Sequence, residues 1–168
     1  MSKWLGPIAA LAAIASMSMP VLAAPPDLVC KLTAPARVTA GEPAPMRFTL
    51  TNRGPAAVRV LNWATPFEGW FAPYVQVLRD GEPQRYSGPM VKRGDPGADE
   101  YVTIAPGRSR HATVDLAQPF DLTRPGRYRV MPRISLFDVT GGPARPLADH
   151  VPKRLDCPAL EIEVLPAR

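Results

Sequence analysis

The sequence predicts an all-β protein, an immunoglobulin-like antiparallel β-sandwich, on three observations. Apolar residues recur with a period of two in nearly every run, turn-forming pairs separate the runs, and a tyrosine opens a strand just after a Pro-Gly turn. A period of two places one face of each strand in a core and the other in water. Many short strands without a long amphipathic helix mean a sandwich or a barrel. The 22 prolines in 168 residues also exclude a mostly helical chain, because proline breaks helix interiors.

Taken in order, the chain opens with Lys3, an apolar stretch from Leu5, and the sequence Val21-Leu22-Ala23. That is the pattern of a signal peptide over residues 1–23, cleaved after Ala23. Ser16, Ser18 and Pro20 interrupt the run too often for a membrane span of about 20 apolar residues. Residues 24–168 then form one domain, large enough for a single core. Strands are expected at Leu28–Thr33, at Met46, Phe48 and Leu50, at Val58–Trp63, at Tyr74–Arg79 and at Tyr101–Ile104. Three more are expected at Ala112, Val114 and Leu116, at Tyr128, Val130 and Ile134, and at Leu160, Ile162 and Val164. Asn52-Arg-Gly-Pro, Pro106-Gly107, Pro125-Gly126 and Gly141-Gly142 are turn signals, and Asp80-Gly81 reads as a hairpin. Tyr128 after Pro125-Gly126 resembles the tyrosine corner of immunoglobulin-like domains, with Val130 where antibody domains have a cysteine. If the last strand pairs with the Tyr128 strand, Glu161 and Glu163 face Arg127 and Arg129.

Cys30 and Cys157 are the two cysteines, one near each end of residues 24–168. In an exported protein such a pair is expected to form a disulfide tying the first strand to the last. The net charge of +5 is spread along the chain rather than gathered in a basic block with interleaved aromatics, so no nucleic-acid partner is expected. No H-E-x-x-H, G-x-S-x-G or P-loop occurs, so no catalytic residue, metal site or cofactor is assigned. His111 and His150 are isolated and expected at the surface. Two segments break the period. Asn62 to Phe71 is aromatic and turn-rich; Ser87 to Glu100 is rich in Gly and Pro and charged. Loops on a rigid sandwich commonly carry binding. The plainer reading has Trp63 and Phe67 capping the core, with Lys92 and Arg93 balancing Asp95, Asp99 and Glu100 in a solvated loop.

From Phe48 to Val130 the chain resembles the amino-terminal domain of bacterial aspzincin metalloendopeptidases, the deuterolysin and peptidyl-Lys group. The matching residues are Leu50-Thr-Asn52, Thr65-Pro66-Phe67-Glu68-Gly69, Gly88-Pro89-Met90-Val91-Lys92-Arg93-Gly94, Tyr101-Val-Thr-Ile, Pro106-Gly107, Val114-Asp115-Leu116 and Gly126-Arg-Tyr128. In that family the domain precedes a zinc protease domain, keeps it inactive and helps it fold. The resemblance therefore implies a non-enzymatic, propeptide-like protein, monomeric and periplasmic or secreted, whose partner is a secreted zinc metalloprotease. Some members of the group cut before lysine, so the resemblance also implies that Lys92, or Arg93, is offered to such a pocket. The partner-binding residues expected are Lys92, Arg93, Met90, Pro66, Phe67, Glu68 and Trp70. The competing expectation is a binding or adhesion module that recognises carbohydrate or another protein by stacking on Trp63 or Trp70.

Overall fold

Alternation of side chains decides which face of each strand is buried, and the pairings then follow from the register. The computed structural model describes residues 27–167. The signal-peptide expectation for residues 1–23 lies outside them. The described residues form β1 (Leu28–Thr33), β2 (Arg37–Thr39), β3 (Pro45–Asn52), β4 (Val58–Leu61), β5 (Val75–Arg79), β6 (Glu82–Pro83) and β7 (Tyr101–Ile104). They continue with β8 (Ser109–Asp115), β9 (Gly126–Pro132), β10 (Ser135–Leu136), β11 (Val139–Thr140), β12 (Lys153–Arg154) and β13 (Leu160–Leu165).

A five-stranded sheet of order β2-β13-β9-β5-β6 packs on a three-stranded sheet of order β1-β3-β8. Leu32, Phe48 and Val114 from the smaller sheet share one buried cluster with Val77, Tyr128 and Ile162 from the larger. One core fed by the inner faces of two sheets is a β-sandwich. A second three-stranded sheet, β11-β4-β7, covers a small separate cluster of Leu61, Trp63 and Tyr101.

The tyrosine corner is present. The Tyr128 hydroxyl donates to the Arg124 carbonyl at 2.8 Å and lies 3.3 Å from that of Asp121. Asp80-Gly81 forms the expected hairpin between β5 and β6, with φ of 49° and 91°. Positive φ at both central residues is the primed turn whose twist suits paired strands. The β13–β9 register sets Glu161 opposite Arg129 and Glu163 opposite Arg127. The ion pair that forms is a different one: Arg37 of β2 reaches Glu163 at 2.9 Å. β2 runs parallel to β13, so the sandwich is antiparallel in all its ladders but this one.

Cys30 and Cys157 are joined as a disulfide with Cα atoms 5.2 Å apart. Cys157 lies three residues before β13, so the bond ties the first strand to the segment that feeds the last strand, not to the strand itself.

Candidate functional site

The two irregular segments come together because of a strand register. β4 and β7 are antiparallel with Leu61 opposite Tyr101. The chain leaving β4 therefore starts beside the chain entering β7, and the Asn62 amide donates to the Glu100 carbonyl at 2.9 Å. From there Thr65-Pro66-Phe67-Glu68 makes a single 3-10 turn capped by the Thr65 side chain. Capping fixes the direction of the Glu68 side chain, whose Oε1 accepts the Ala64 amide at 2.6 Å.

Glu68 Oε2 accepts from Arg93 Nη2. The Arg93 guanidinium also lies 5.0 Å from the Trp63 ring centroid and 4.0 Å from Glu100 Oε1. Glu100 in turn accepts from Trp63 Nε1 at 2.7 Å and from the Gly97 amide at 2.8 Å. The plain expectation of charge balance within the loop thus holds in part, with the partner of Arg93 in the other segment. Burial pushes the Glu68 carboxyl above the ordinary carboxylate value, opposed by the Ala64 amide and the Arg93 charge. For Glu100 the Trp63 indole hydrogen bond leads, outweighing burial, and holds the carboxyl below it.

Further bonds pin the rest of the loop. The Tyr86 hydroxyl donates to the Pro89 carbonyl at 3.0 Å, and the Ser87 amide donates to Pro119 at 2.8 Å. A Cβ on Gly88 would stand 2.5 Å from the Tyr86 hydroxyl oxygen, so this close approach requires glycine. At the far end the Leu147 amide donates to Asp95 at 2.8 Å. Between these anchors Met90, Val91 and Lys92 face outward, with Met90 74% exposed. Lys92 has no hydrogen bond or ion pair with the described residues.

The structure thus sorts the expected partner-binding residues. Met90 and Lys92 are presented. Arg93 and Glu68 hold each other. Pro66 is buried and Phe67 is half-buried, edge-on to Phe48 of the core at 5.2 Å. Trp70 is 6% exposed, stacked on Tyr74 at 4.5 Å, and its indole donates to the Asp115 carbonyl at 2.8 Å. Trp63 is 3% exposed. Neither tryptophan offers the ring face that carbohydrate stacking requires, which corrects that expectation. His150 is not a free surface residue either, because it is half-buried with its ring 6.1 Å from that of Trp63. Phe71, beside buried Trp70, is exposed; it belongs to the aromatic segment but not to the partner-binding residues expected above. It lines a groove of about 310 Å³ with Gly88, Pro89, Gln118 and Pro119. Among the described residues no cluster of His, Cys, Asp and Glu could hold a metal ion.

Several other motif residues serve the fold. Asn52 is fully buried and donates to the Ala56 and Ile104 carbonyls at 2.7 and 3.0 Å. Asp115 accepts the Ala44 and Ala117 amides at 2.8 and 2.9 Å.

Comparison with known proteins gives partial matches. No protein-family profile matches the chain. The extracellular protease of Aeromonas hydrophila is 34% identical over 85 residues, which cover 51% of this chain and 24% of that protein. A neutral protease 2 homolog of Arthroderma gypseum is 30% identical over 88 residues, covering 51% of this chain and 24% of the other. The shared region thus spans about a quarter of each of these relatives, and the chain carries a protease-related β domain. Among solved structures, a CARDB domain from Pyrococcus furiosus is 16% identical with a TM-score of 0.37, covering 83% of this chain and 93% of the domain. A β-glucosidase from Listeria innocua is 15% identical with the same TM-score of 0.37, covering 83% of this chain and 16% of the enzyme. At such scores neither carries weight, and the fold rests on the strand order and shared core described above. One relative is named extracellular, and among the described residues no helix is long and apolar enough to cross a membrane.

Proposed function

We propose that this protein is a non-catalytic, exported β-sandwich that controls a secreted zinc metalloprotease of the aspzincin type, as inhibitor or folding partner. The observation that carries the reading is the Glu68–Arg93 pair. It joins two of the motifs that carry the resemblance, Thr65–Gly69 and the more specific Gly88–Gly94. Glu68, Arg93 and Gly88 are consumed in shaping the loop, and the residues left outward are Met90, Val91 and Lys92. A loop fixed by its own contacts binds at lower entropic cost than a flexible one. The partial matches to proteases support the class of partner.

The test is affinity capture from periplasm and culture supernatant on the immobilised chain. Enrichment of a zinc metalloprotease, displaced by free chain, supports the reading. Capture that reproducibly yields another protein and no protease would replace it with a protein-binding module.

A further inference from the structure

Six large apolar side chains are exposed among the described residues: Phe71, Met90, Val91, Leu147, Val151 and Leu165. Single exposed apolar residues are ordinary, whereas a concentration of them at one place marks an interaction site. Five of the six lie in the Gly88–Pro96 loop or in segments that touch it; Leu165 sits at the end of β13. On one flank Phe71 shares its groove with Gly88 and Pro89. On the other, Leu147 is tied to Asp95, and Val151 follows His150, which packs near the Trp63 ring under Arg93. Val151 is 75% exposed, about as open as Met90.

The charges say what kind of surface fits. Arg93, Asp95 and Glu100 are each engaged by groups of this chain. Lys92 and Asp99 are the charged side chains of the segment with no such partner. Of these two, Lys92 is the one set beside exposed apolar neighbours, Met90 and Val91. An occupant of this end must cover apolar side chains and present a carboxylate to an ammonium. In the proteases that share this region, the rest of the protein is about three times as long as the shared part. That remainder is joined to the shared region in one chain, and it is the occupant argued for here.

We infer that Phe71, Met90, Val91, Lys92, Leu147 and Val151 form one docking surface for a folded face of the protease, apolar with a carboxylate opposite Lys92. The inference rests on the function proposed above and adds that the contact spans three segments, not the loop alone.

The experiment measures binding of the chain to the secreted, mature extracellular protease of A. hydrophila by surface-immobilised titration. Phe71→Ser and Val151→Ser remove apolar surface far from Lys92 in sequence, and Leu165→Ser is the control. Urea midpoints equal to wild type establish that each variant is folded. Each of the first two substitutions weakens binding roughly tenfold, mostly through faster dissociation, and the double variant more, while the control does not change it. Wild-type affinity in the folded double variant overturns the three-segment surface and leaves the protease reading standing. No binding by the wild-type chain overturns both.

Discussion

Glu68 and Asp138 are carboxylates in the interior whose surroundings drive them in opposite directions. Asp138 is fully buried. Burial opposes its ionisation, but hydrogen bonds from Arg145 and from the Tyr101 hydroxyl, the latter at 2.7 Å, prevail and hold its carboxyl below the usual value of 3.8. The unfolded chain then takes up the proton first, so the stability Asp138 contributes is present above its unfolded value and is lost as the pH falls through the folded one. Asp138→Ala leaves Tyr101 and Arg145 without their acceptor and is expected to cost about 1–3 kcal/mol at neutral pH, read from the urea midpoint. Glu68 has the opposite sign. Its folded value is raised above 4.5, chiefly by burial, so its protonation favours the folded state, and that contribution fades as the pH rises through the raised value. Acidification through that raised value therefore discharges Glu68 and loosens Arg93 without unfolding the sandwich. Amide hydrogen exchange over residues 88–96 should quicken there, after correction for the intrinsic pH dependence. In Glu68→Gln it should be fast throughout and show no such step. A wild-type loop with no pH step would show that the pair does not hold it.

At the scale of elements, most of the expected strands were legible because inward apolar residues recur in phase, as Met46, Phe48 and Leu50 do in β3. β2 was not, because Arg37-Val38-Thr39 buries one side chain and alternation carries no information about parallel pairing. β10, β11 and β12 are two residues each, too short to show a period. In the aromatic segment the packing of Trp63 and Phe67 onto the core was legible, but the burial of Trp70 was not, for another reason. The acceptors that make burial of Trp63 and Trp70 tolerable, Glu100 and the Asp115 carbonyl, lie 37 and 45 residues away in sequence. Nothing local in Asn62 to Phe71 announces them, whereas the Lys92 loop stood out by its Gly and Pro content alone. The disulfide was legible from cysteine count and position. It closes a separation of 127 residues, and the chain-entropy argument sets its contribution at up to about 5 kcal/mol, with less expected in measurement. The double variant Cys30→Ser, Cys157→Ser should still fold, because β1 is held to β3 by a six-residue ladder, but with a lower urea midpoint. An unchanged midpoint would mean the bond constrains little beyond what the ladder does.

For the whole molecule, a sandwich core supports one loop held by Glu68, Arg93, Trp63, Glu100, Tyr86 and Asp95. The purified protein is expected to hold no stoichiometric zinc and to hydrolyse no casein, which metal analysis and a repurified sample decide. The central claim is that the fixed loop offers Lys92 to a protease, and inhibition is its most direct measure. Wild-type chain and Lys92→Ala should be titrated side by side against a lysine-specific aspzincin protease. Lys92 is exposed and makes no hydrogen bond or ion pair within the described residues, so the substitution leaves the urea midpoint unchanged. The wild type is expected to inhibit and the variant to lose about 2–5 kcal/mol, the cost of removing a paired charge from a desolvated contact. Equal inhibition by a stably folded Lys92→Ala would contradict it.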